Sequence, residues 1–313
     1  MLVFGPVPSR RLGSSLGINN IPPKHCSYSC LYCQVGPTSI TEIKPHFFYK
    51  PEAVFDAVEQ HLAKLQPENP KIDYLTFVPD GEPTLDASLG KAIQLLRRLK
   101  IKIAVISNAS LIWQNQVRDM LMLADWVSLK LDSVDKAIWQ RINQPNQNLN
   151  LSDILSGMLT FKREFNGTLA TETMLLEGIN TEADAIEHLN NFLHELRPDK
   201  IYLAIPTRPT AYNSAYAADA ATVNRIYQTL SQNLTGLELL TGYEGDSFAS
   251  TGNFVEDLLA ITCVHPMRKD APLKLMAKTG ANWSAVQTLL DNGMLRELEY
   301  QGHYFYLRIS SNK

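Results

Sequence analysis

Residues 72–108 read IDYLTFVPDGEPTLDASLGKAIQLLRRLKIKIAVISN, and this stretch decides the class of fold. The apolar run at 72–78 predicts a buried strand that ends at a Pro-Asp-Gly turn. Residues 87–100 have the apolar spacing of a helix, and residues 101–106 are again mostly apolar. A strand, a helix and a second strand in this order predict two parallel strands joined by a right-handed crossover.

The same alternation continues on both sides of this stretch and amounts to six β–α units. The pattern does not by itself choose between an open doubly wound sheet and a curved partial barrel. In both folds the chemistry lies at the carboxyl ends of the strands. Segment 12–18 begins the first unit and leads into the loop that carries the cysteines. Further helices are predicted at 51–65, 113–123, 151–164, 182–196 and 217–233, and further strands at 126–131, 168–176 and 200–205.

The composition excludes several classes of protein. The chain has 313 residues, of which 45% are hydrophobic, and its formal net charge is −3. This balance argues against a nucleic-acid binder held by bulk positive charge. No apolar run approaches the roughly 18 residues that span a bilayer, and the first residues lack a secretory pattern. The sequence therefore predicts a cytoplasmic protein with no membrane contact.

Three of the four cysteines fall within eight positions, at Cys26, Cys30 and Cys33. In a reducing compartment such clustering indicates metal or redox chemistry rather than disulfides. On spacing alone, two kinds of site remain open. An iron–sulfur cluster held by three thiolates leaves one iron open for a small chelating molecule. A structural zinc site needs a fourth ligand, for which the candidates are His25, His46 and Cys263.

The series Cys26-x3-Cys30-x-Tyr32-Cys33 resembles the cysteine motif of the radical S-adenosylmethionine (SAM) superfamily, C-x3-C-x-aromatic-C. The resemblance implies an α/β fold, a partial (βα)6 barrel, in which the three cysteines hold a [4Fe–4S] cluster. It implies that the aromatic residue, Tyr32, contacts the adenine of SAM. It also implies that the turn Gly81-Glu82-Pro83 binds the methionine amino group, and that the SAM-contacting position after the next strand is Ser107-Asn108.

Three charged residues at strand ends complete the predicted SAM site. Lys130 and Asp132 lie in phase on one strand and therefore face the same side of the sheet. If that side is the barrel interior, they form an internal ion pair or touch SAM. Arg208 has a forked guanidinium suited to the SAM carboxylate or to an anionic substrate.

The resemblance implies a radical SAM enzyme. Such an enzyme reductively cleaves SAM at a [4Fe–4S] cluster, with an electron from a donor such as flavodoxin or ferredoxin. The resulting 5′-deoxyadenosyl radical abstracts hydrogen from a substrate. The substrate stays open between a tRNA or other RNA base and a small molecule or peptide. An iron–sulfur sensor with a winged-helix output is a third alternative.

Two further segments, GPVPSRRLGSSLGIN at 5–19 and GNFVEDLLAITCVHPMR at 252–268, resemble an uncharacterised branch grouped with the wyosine-base-forming tRNA enzymes. Those enzymes carry a second cluster on three additional cysteines and hold pyruvate on a lysine. Only Cys263 is left in this chain, and one thiolate cannot build a second cluster. The wyosine reaction itself is therefore not expected, and Cys263, in an apolar helix, is predicted to pack in a core.

The rhythm of the sequence changes near residue 236. Short helices are predicted at 254–265, 270–279 and 282–292, and residues 295–309 alternate around Gln301-Gly302 as a hairpin does. Three helices and a hairpin predict a small winged helix-turn-helix domain. The predicted division is a barrel domain over 1–240, with a cluster loop at 24–36, and a winged-helix-like domain over 250–313.

Overall fold

The computed structural model describes residues 2–38, 40–65, 71–241, 250–264, 266–300 and 302–309, with the side chains of residues 263 and 264 left out. Within these residues, eight strands form one sheet in which the spatial order equals the chain order. The first two strands pair antiparallel, and the second to the eighth run parallel. The sheet curls into a half-barrel. Its strands are β1 Val3–Ser9, β2 Gly13–Ile18, β3 Tyr74–Phe77, β4 Lys102–Ser107, β5 Trp126–Lys130, β6 Thr168–Met174, β7 Lys200–Ala204 and β8 Leu237–Leu240.

Helices connect the parallel strands, and local sequence signals set several of their ends. The first helix has Pro51 in its first turn, where a missing N–H costs nothing. Asn150 and Asp219 cap two later helices by accepting backbone N–H bonds. The helices are α1 Pro51–Lys64, α2 Leu89–Leu96, α3 Asn115–Leu121, α4 Lys136–Asn143, α5 Leu151–Glu164, α6 Ala183–Leu196 and α7 Ala220–Ser231, and two 3-10 turns span Pro83–Leu85 and Arg97–Leu99.

Both faces of the central strands β3, β4 and β5 are buried, which explains why these strands are mostly apolar. Along β4, Ile103 and Val105 belong to the largest core, together with the inner faces of the helices. Ala104 between them points to the other face and packs in a second core with Ala170 and Tyr202. Successive side chains of a strand point to opposite faces, so each strand contributes to both cores. The prediction of a partial barrel of six β–α units is confirmed.

Three elements differ from the prediction. Helix α4 occupies residues before the Asn/Gln-rich segment, β8 adds a strand, and β1 with β2 forms an amino-terminal hairpin. These elements are short, and their sequences carry no long periodic pattern. Tertiary packing stabilises these elements, whose local helix or strand propensity is weak.

Residues 250–309 form a C-terminal unit with its own apolar core. Its order of elements matches the predicted helices and hairpin, and Tyr300 pairs with His303 at the end of the hairpin. The assignment of this unit as a winged helix-turn-helix, and the domain boundaries, stay predictions. Residue 265 and residues 310–313 lie outside the described residues. The elements are α8 Phe254–Val264, β9 Met267–Arg268, α9 Pro272–Thr279, α10 Trp283–Asp291, β10 Leu295–Tyr300 and β11 His303–Arg308.

A search of the described residues finds no helix with the length and apolar character needed to cross a membrane.

Candidate cluster and cofactor site

A cavity of about 360 Å³ lies at the carboxyl ends of strands β3 to β8. The predicted cluster loop (residues 24–36) forms part of its wall. Most of the predicted site residues meet in it. Glu82, Pro83 and Asp132 lie behind its wall. The predicted residues that line the cavity are Cys26, Cys30, Cys33, Tyr32, Gly81, Ser107, Asn108, Lys130 and Arg208.

The cluster loop is clamped on two sides by backbone hydrogen bonds. On one side the turn after β3 holds it: Lys24 N donates to the Asp80 carbonyl at 2.8 Å, and Glu82 N donates to the His25 carbonyl at 2.9 Å. This approach requires glycine at position 81, because a Cβ there would lie 2.0 Å from the His25 carbonyl oxygen. The Gly81 turn therefore packs against His25, the residue before the first cluster cysteine.

On the other side, the end of α4 holds the same loop. Ser29 N donates to the Asn143 carbonyl at 3.0 Å, and Leu31 N donates to the Ile142 carbonyl at 2.8 Å. Gln144 ends α4 with a left-handed φ of 42°. The three cysteines are thus held between two elements that are distant in sequence.

The three thiols have the chemistry of an iron–sulfur ligand set. Burial raises the pKa of Cys26 to about 12 and also raises the pKa values of Cys30 and Cys33. Such thiols lose their protons when they bind a metal ion. Asn108 Nδ2 lies 3.5 Å from Cys26 Sγ and Asn143 Nδ2 lies 3.4 Å from Cys30 Sγ, so two sulfurs already face amide donors. Three thiols on one cavity fit a cluster with one open iron.

The described residues hold no group of three His, Cys, Asp or Glu side chains arranged to bind a single metal ion. His25 and His46, the candidate fourth ligands of a zinc site, both contact Glu42, at 3.0 and 3.4 Å. The side chain of Cys263, the third candidate, lies outside what the structure describes.

Glu82 is fully buried, and its carboxylate accepts hydrogen bonds from residues on two neighbouring parts of the cavity wall. Oε1 accepts hydrogen bonds from Thr84 N at 3.0 Å, Thr84 Oγ1 at 2.6 Å and Ser107 Oγ at 2.7 Å. Oε2 accepts from Asn108 N at 2.6 Å. Burial raises the pKa of Glu82, while these donors lower it. The carboxylate thus fixes the strand ends after β3 and β4, and its direct contact with SAM stays a prediction.

Charged groups cross the barrel interior and end at the cluster loop. Lys130 Nζ lies 3.0 Å from Glu172 and 3.5 Å from Asp132, so an ion pair, one of the two expected alternatives, is present. Contact of Lys130 and Asp132 with SAM stays a prediction. Arg11 pairs with Glu172 at 2.5 Å, and the Tyr32 hydroxyl donates to Asp132. Lys130 also lies over the Tyr32 ring, 4.8 Å from its centroid. This network connects the turn of the β1–β2 hairpin to the aromatic residue of the cysteine motif.

The pKa values follow from this network. Burial alone would raise the pKa of Glu172, but Arg11 and Lys130 bring it down to about 2. Burial alone would lower the pKa of Lys130, but Asp132 and Glu172 hold it above its ordinary value. Lys130 is therefore an ammonium at neutral pH and lacks the lone pair of a nucleophile.

Arg208 lies at the cavity rim after β7 and is only 7% exposed. Its Nη1 donates to Gln34 Oε1 at 3.3 Å, one residue after Cys33. The structure therefore brings Arg208 to the cluster loop across 174 residues of sequence. Asn143 is the main site residue that the sequence did not reveal, because it lies in a short helix with no motif.

The fold and the three-cysteine site together define an enzyme that carries an iron–sulfur cluster on a partial α/β barrel. Residues 20–190 match the model of the Radical SAM superfamily, so the chain belongs to that superfamily. Enzymes of this superfamily use a [4Fe–4S] cluster and SAM for radical chemistry. The predicted class of enzyme and its cofactors are thereby confirmed.

Curated relatives share most of the chain. It is 44% identical over 309 residues to the UPF0026 protein MJ1312 of Methanocaldococcus jannaschii, covering 98% of this chain and 96% of the relative. A UPF0026 protein of Helicobacter pylori is 33% identical over 216 residues, with 68% of each chain covered. These names state no activity.

Solved structures confirm the fold. TYW1 with a lysine-pyruvate adduct bound has a TM-score of 0.56 and 16% identity, with 76% of this chain and 80% of that chain covered. Streptococcus suis SuiB bound to S-adenosylmethionine has a TM-score of 0.53 and 17% identity, with coverage of 71% and 49%.

Proposed function

We propose that this protein reductively cleaves SAM to methionine and a 5′-deoxyadenosyl radical, which takes a hydrogen atom from a substrate in the same cavity. The observation that carries the proposal is that Cys26, Cys30 and Cys33 line one cavity with the strand ends after β3 and β4. A reduced [4Fe–4S] cluster, when bound, supplies the electron. As its source we propose a flavodoxin or ferredoxin in the cytoplasm, where thiols stay reduced.

We assign the SAM contacts to the polar groups around the cysteines. The turn at Gly81, held by Glu82 and Pro83, offers backbone acceptors for the amino group. Ser107 and Asn108 extend this wall. The Tyr32 ring packs against the adenine. The remaining proposed contacts are the cations Lys130 and Arg208, for the SAM carboxylate, and Asp132, which holds Lys130 and Tyr32 in place.

The substrate region lies along the strands farthest from the Gly81 turn. Met174 on β6, Ala204 and Ile205 at the end of β7, and Leu240 on β8 line the cavity there. Apolar walls keep water away from the reacting atoms. The cavity of about 360 Å³ is near the lower end of the roughly 300–1,000 Å³ typical of ligand pockets. With SAM inside, we propose a small substrate, or one small group of a larger one.

The test is anaerobic reconstitution with iron and sulfide, followed by incubation with SAM and dithionite. Wild-type protein should form 5′-deoxyadenosine and methionine, and Cys30→Ala should form neither. Absence of 5′-deoxyadenosine with cluster-loaded wild-type protein would refute the proposed activity.

Deuterium transfer identifies the class of substrate. Deuterated small-molecule, peptide and RNA fractions of a cell extract are supplied separately, and deuterium in 5′-deoxyadenosine is measured by mass spectrometry. Transfer from the small-molecule fraction supports a small substrate. Transfer from the RNA fraction alone would instead favour modification of an RNA base, and transfer from the peptide fraction alone a peptide.

A further inference from the structure

Asn143, the last residue of α4, is buried, with 2% of its surface exposed. Its side-chain nitrogen lies 2.7 Å from Asp132 Oδ2 and 3.4 Å from Cys30 Sγ. An amide nitrogen carries two hydrogens. One hydrogen can therefore go to the carboxylate. The other points toward Cys30 Sγ and the Tyr32 hydroxyl oxygen, which lies 3.5 Å from the nitrogen and itself donates to Asp132.

We infer that Asn143 is a positioning residue that raises the reduction potential of the cluster by donating a hydrogen bond to Cys30 Sγ, an inference that rests on the proposed function. Reduction adds negative charge to a cluster, and this charge spreads onto its thiolate sulfurs. A hydrogen bond to sulfur stabilises the reduced form more than the oxidised form, so the potential rises.

The orientation of the Asn143 amide is fixed by its carboxylate partner. Asp132 is 4% exposed and accepts from Asn143 at 2.7 Å, a much shorter contact than the 3.4 Å to sulfur and therefore the stronger of the two bonds. Asp132 is itself held by Met174 N, which donates to Oδ1 at 2.9 Å, and by the Tyr32 hydroxyl. The amide therefore has little freedom to turn away from the sulfur.

The backbone of Asn143 supports the same role. Its carbonyl accepts from Ser29 N at 3.0 Å, so the chain segment that carries Cys30 is bonded to the residue whose side chain faces the sulfur. Asn108 makes a comparable contact with Cys26, at 3.5 Å, and Ser27 Oγ holds its amide at 2.9 Å. Two of the three cluster sulfurs thus face a side-chain amide that a second polar group orients.

The test is an EPR-monitored redox titration of the reconstituted full-length protein, without SAM. Asn143→Leu keeps a similar side-chain shape but removes both donors. We expect wild-type iron content and a midpoint potential more negative than that of the wild type. The matched control is Asn148→Leu, an exposed asparagine five residues along the chain, which should keep the wild-type potential. An unchanged potential in Asn143→Leu would overturn the inference.

A second measurement covers the case in which Asn143→Leu does not hold a cluster. Asn108→Leu protein is prepared with asparagine that carries ¹⁵N in its side-chain amide. Among the described residues, Asn143 is then the labelled amide that contacts a cluster sulfur. Pulsed EPR of the reduced protein should show a weak ¹⁵N coupling, and its absence would contradict the hydrogen bond. If wild-type protein takes up no cluster, the proposed function itself fails; if it loads normally and only these signatures are absent, this inference alone fails.

Discussion

Each cluster cysteine presents a single sulfur to the cavity, and the cluster has no other thiol in its loop. Replacing any one of Cys26, Cys30 and Cys33 by Ala leaves two thiolates, which is too few to hold the cluster. We expect iron content after anaerobic reconstitution to fall to background in each variant. Cys263→Ala should keep full iron content. Loss of iron in that variant would show that Cys263 is a ligand and not part of a core.

Glu82 acts in the structure through the donors that surround its carboxylate. In Glu82→Gln an NH₂ group replaces one acceptor oxygen and must face Asn108 N or the donors on Oε1. A buried donor left without an acceptor costs about 1–3 kcal/mol, so we expect the free energy of unfolding to fall by about this amount, measured by urea denaturation of cluster-free protein.

Glu59→Gln, at an exposed position on α1, is the control and should be neutral. The same change at Glu82 should also weaken SAM binding, by direct loss of charge or by displacement of the Gly81 turn. A Glu82→Gln variant as stable as the wild type would show that the carboxylate does not hold the wall together.

The residues of the site differ in how well the sequence predicts them. The cysteines and the Gly81 turn could be predicted from the sequence, because each motif consists of residues at short, fixed spacing. Asn143 could not be predicted, because its role depends on a contact between α4 and the cluster loop. Asn143 and Cys30 are more than 100 residues apart in the sequence. Glu82 was identified by its turn, but its four donors come partly from β4 and appear only in the folded chain.

At the scale of elements, the long apolar strands and amphipathic helices were predictable, and α5 begins and ends where its pattern does. The central strands β3, β4 and β5 are buried on both faces, so their sequences are mostly apolar and easy to recognise. The hairpin β1–β2 was not predicted, because β2 reads as Gly-Ser-Ser-Leu-Gly-Ile. Its glycines allow close packing: a Cβ at Gly17 would lie 2.0 Å from the Phe4 ring.

The ion pairs of Glu172 connect three of these elements, the β1–β2 turn, β5 and β6. The pKa of Glu172 is lowered from 4.5 to about 2, so its stabilising contribution is present above 4.5 and is lost as the pH falls toward 2. Glu172→Gln should therefore be destabilised by about 3 kcal/mol near neutral pH. The gap to wild type should narrow as the pH falls through this window.

Urea denaturation at about pH 6 and about pH 3 measures this gap. Glu238→Gln, which breaks the exposed Lys200–Glu238 pair, is the control and should change little at either pH. A gap of equal size at both values would show that the ion pairs of Glu172 do not stabilise the fold.

At the scale of the whole molecule, the cavity is bounded by parts of the chain that are far apart in sequence. Phe4 and Val7 of β1 line it, next to residues from the ends of β7 and β8. The C-terminal unit contacts both sides: Val7 packs against its core, and Tyr300 Oη lies 3.4 Å from the carbonyl of Pro206, two residues before Arg208. The described part of the C-terminal unit therefore lies against β1 and against the chain segment just before Arg208.

Val7 is the residue at which this arrangement can be tested, because it contacts both the cavity and the C-terminal core. Val7→Asp places a carboxylate between them, which should cost about 1–3 kcal/mol of the free energy of unfolding. Val255→Asp makes the same change on α8 at a side chain that is 37% exposed and should cost much less. Urea denaturation followed by circular dichroism compares the two. Because the cluster loop lies elsewhere on the cavity, iron content should remain at the wild-type level in both. Equal stability of the two variants would show that the contact between β1 and the C-terminal unit does not stabilise the molecule.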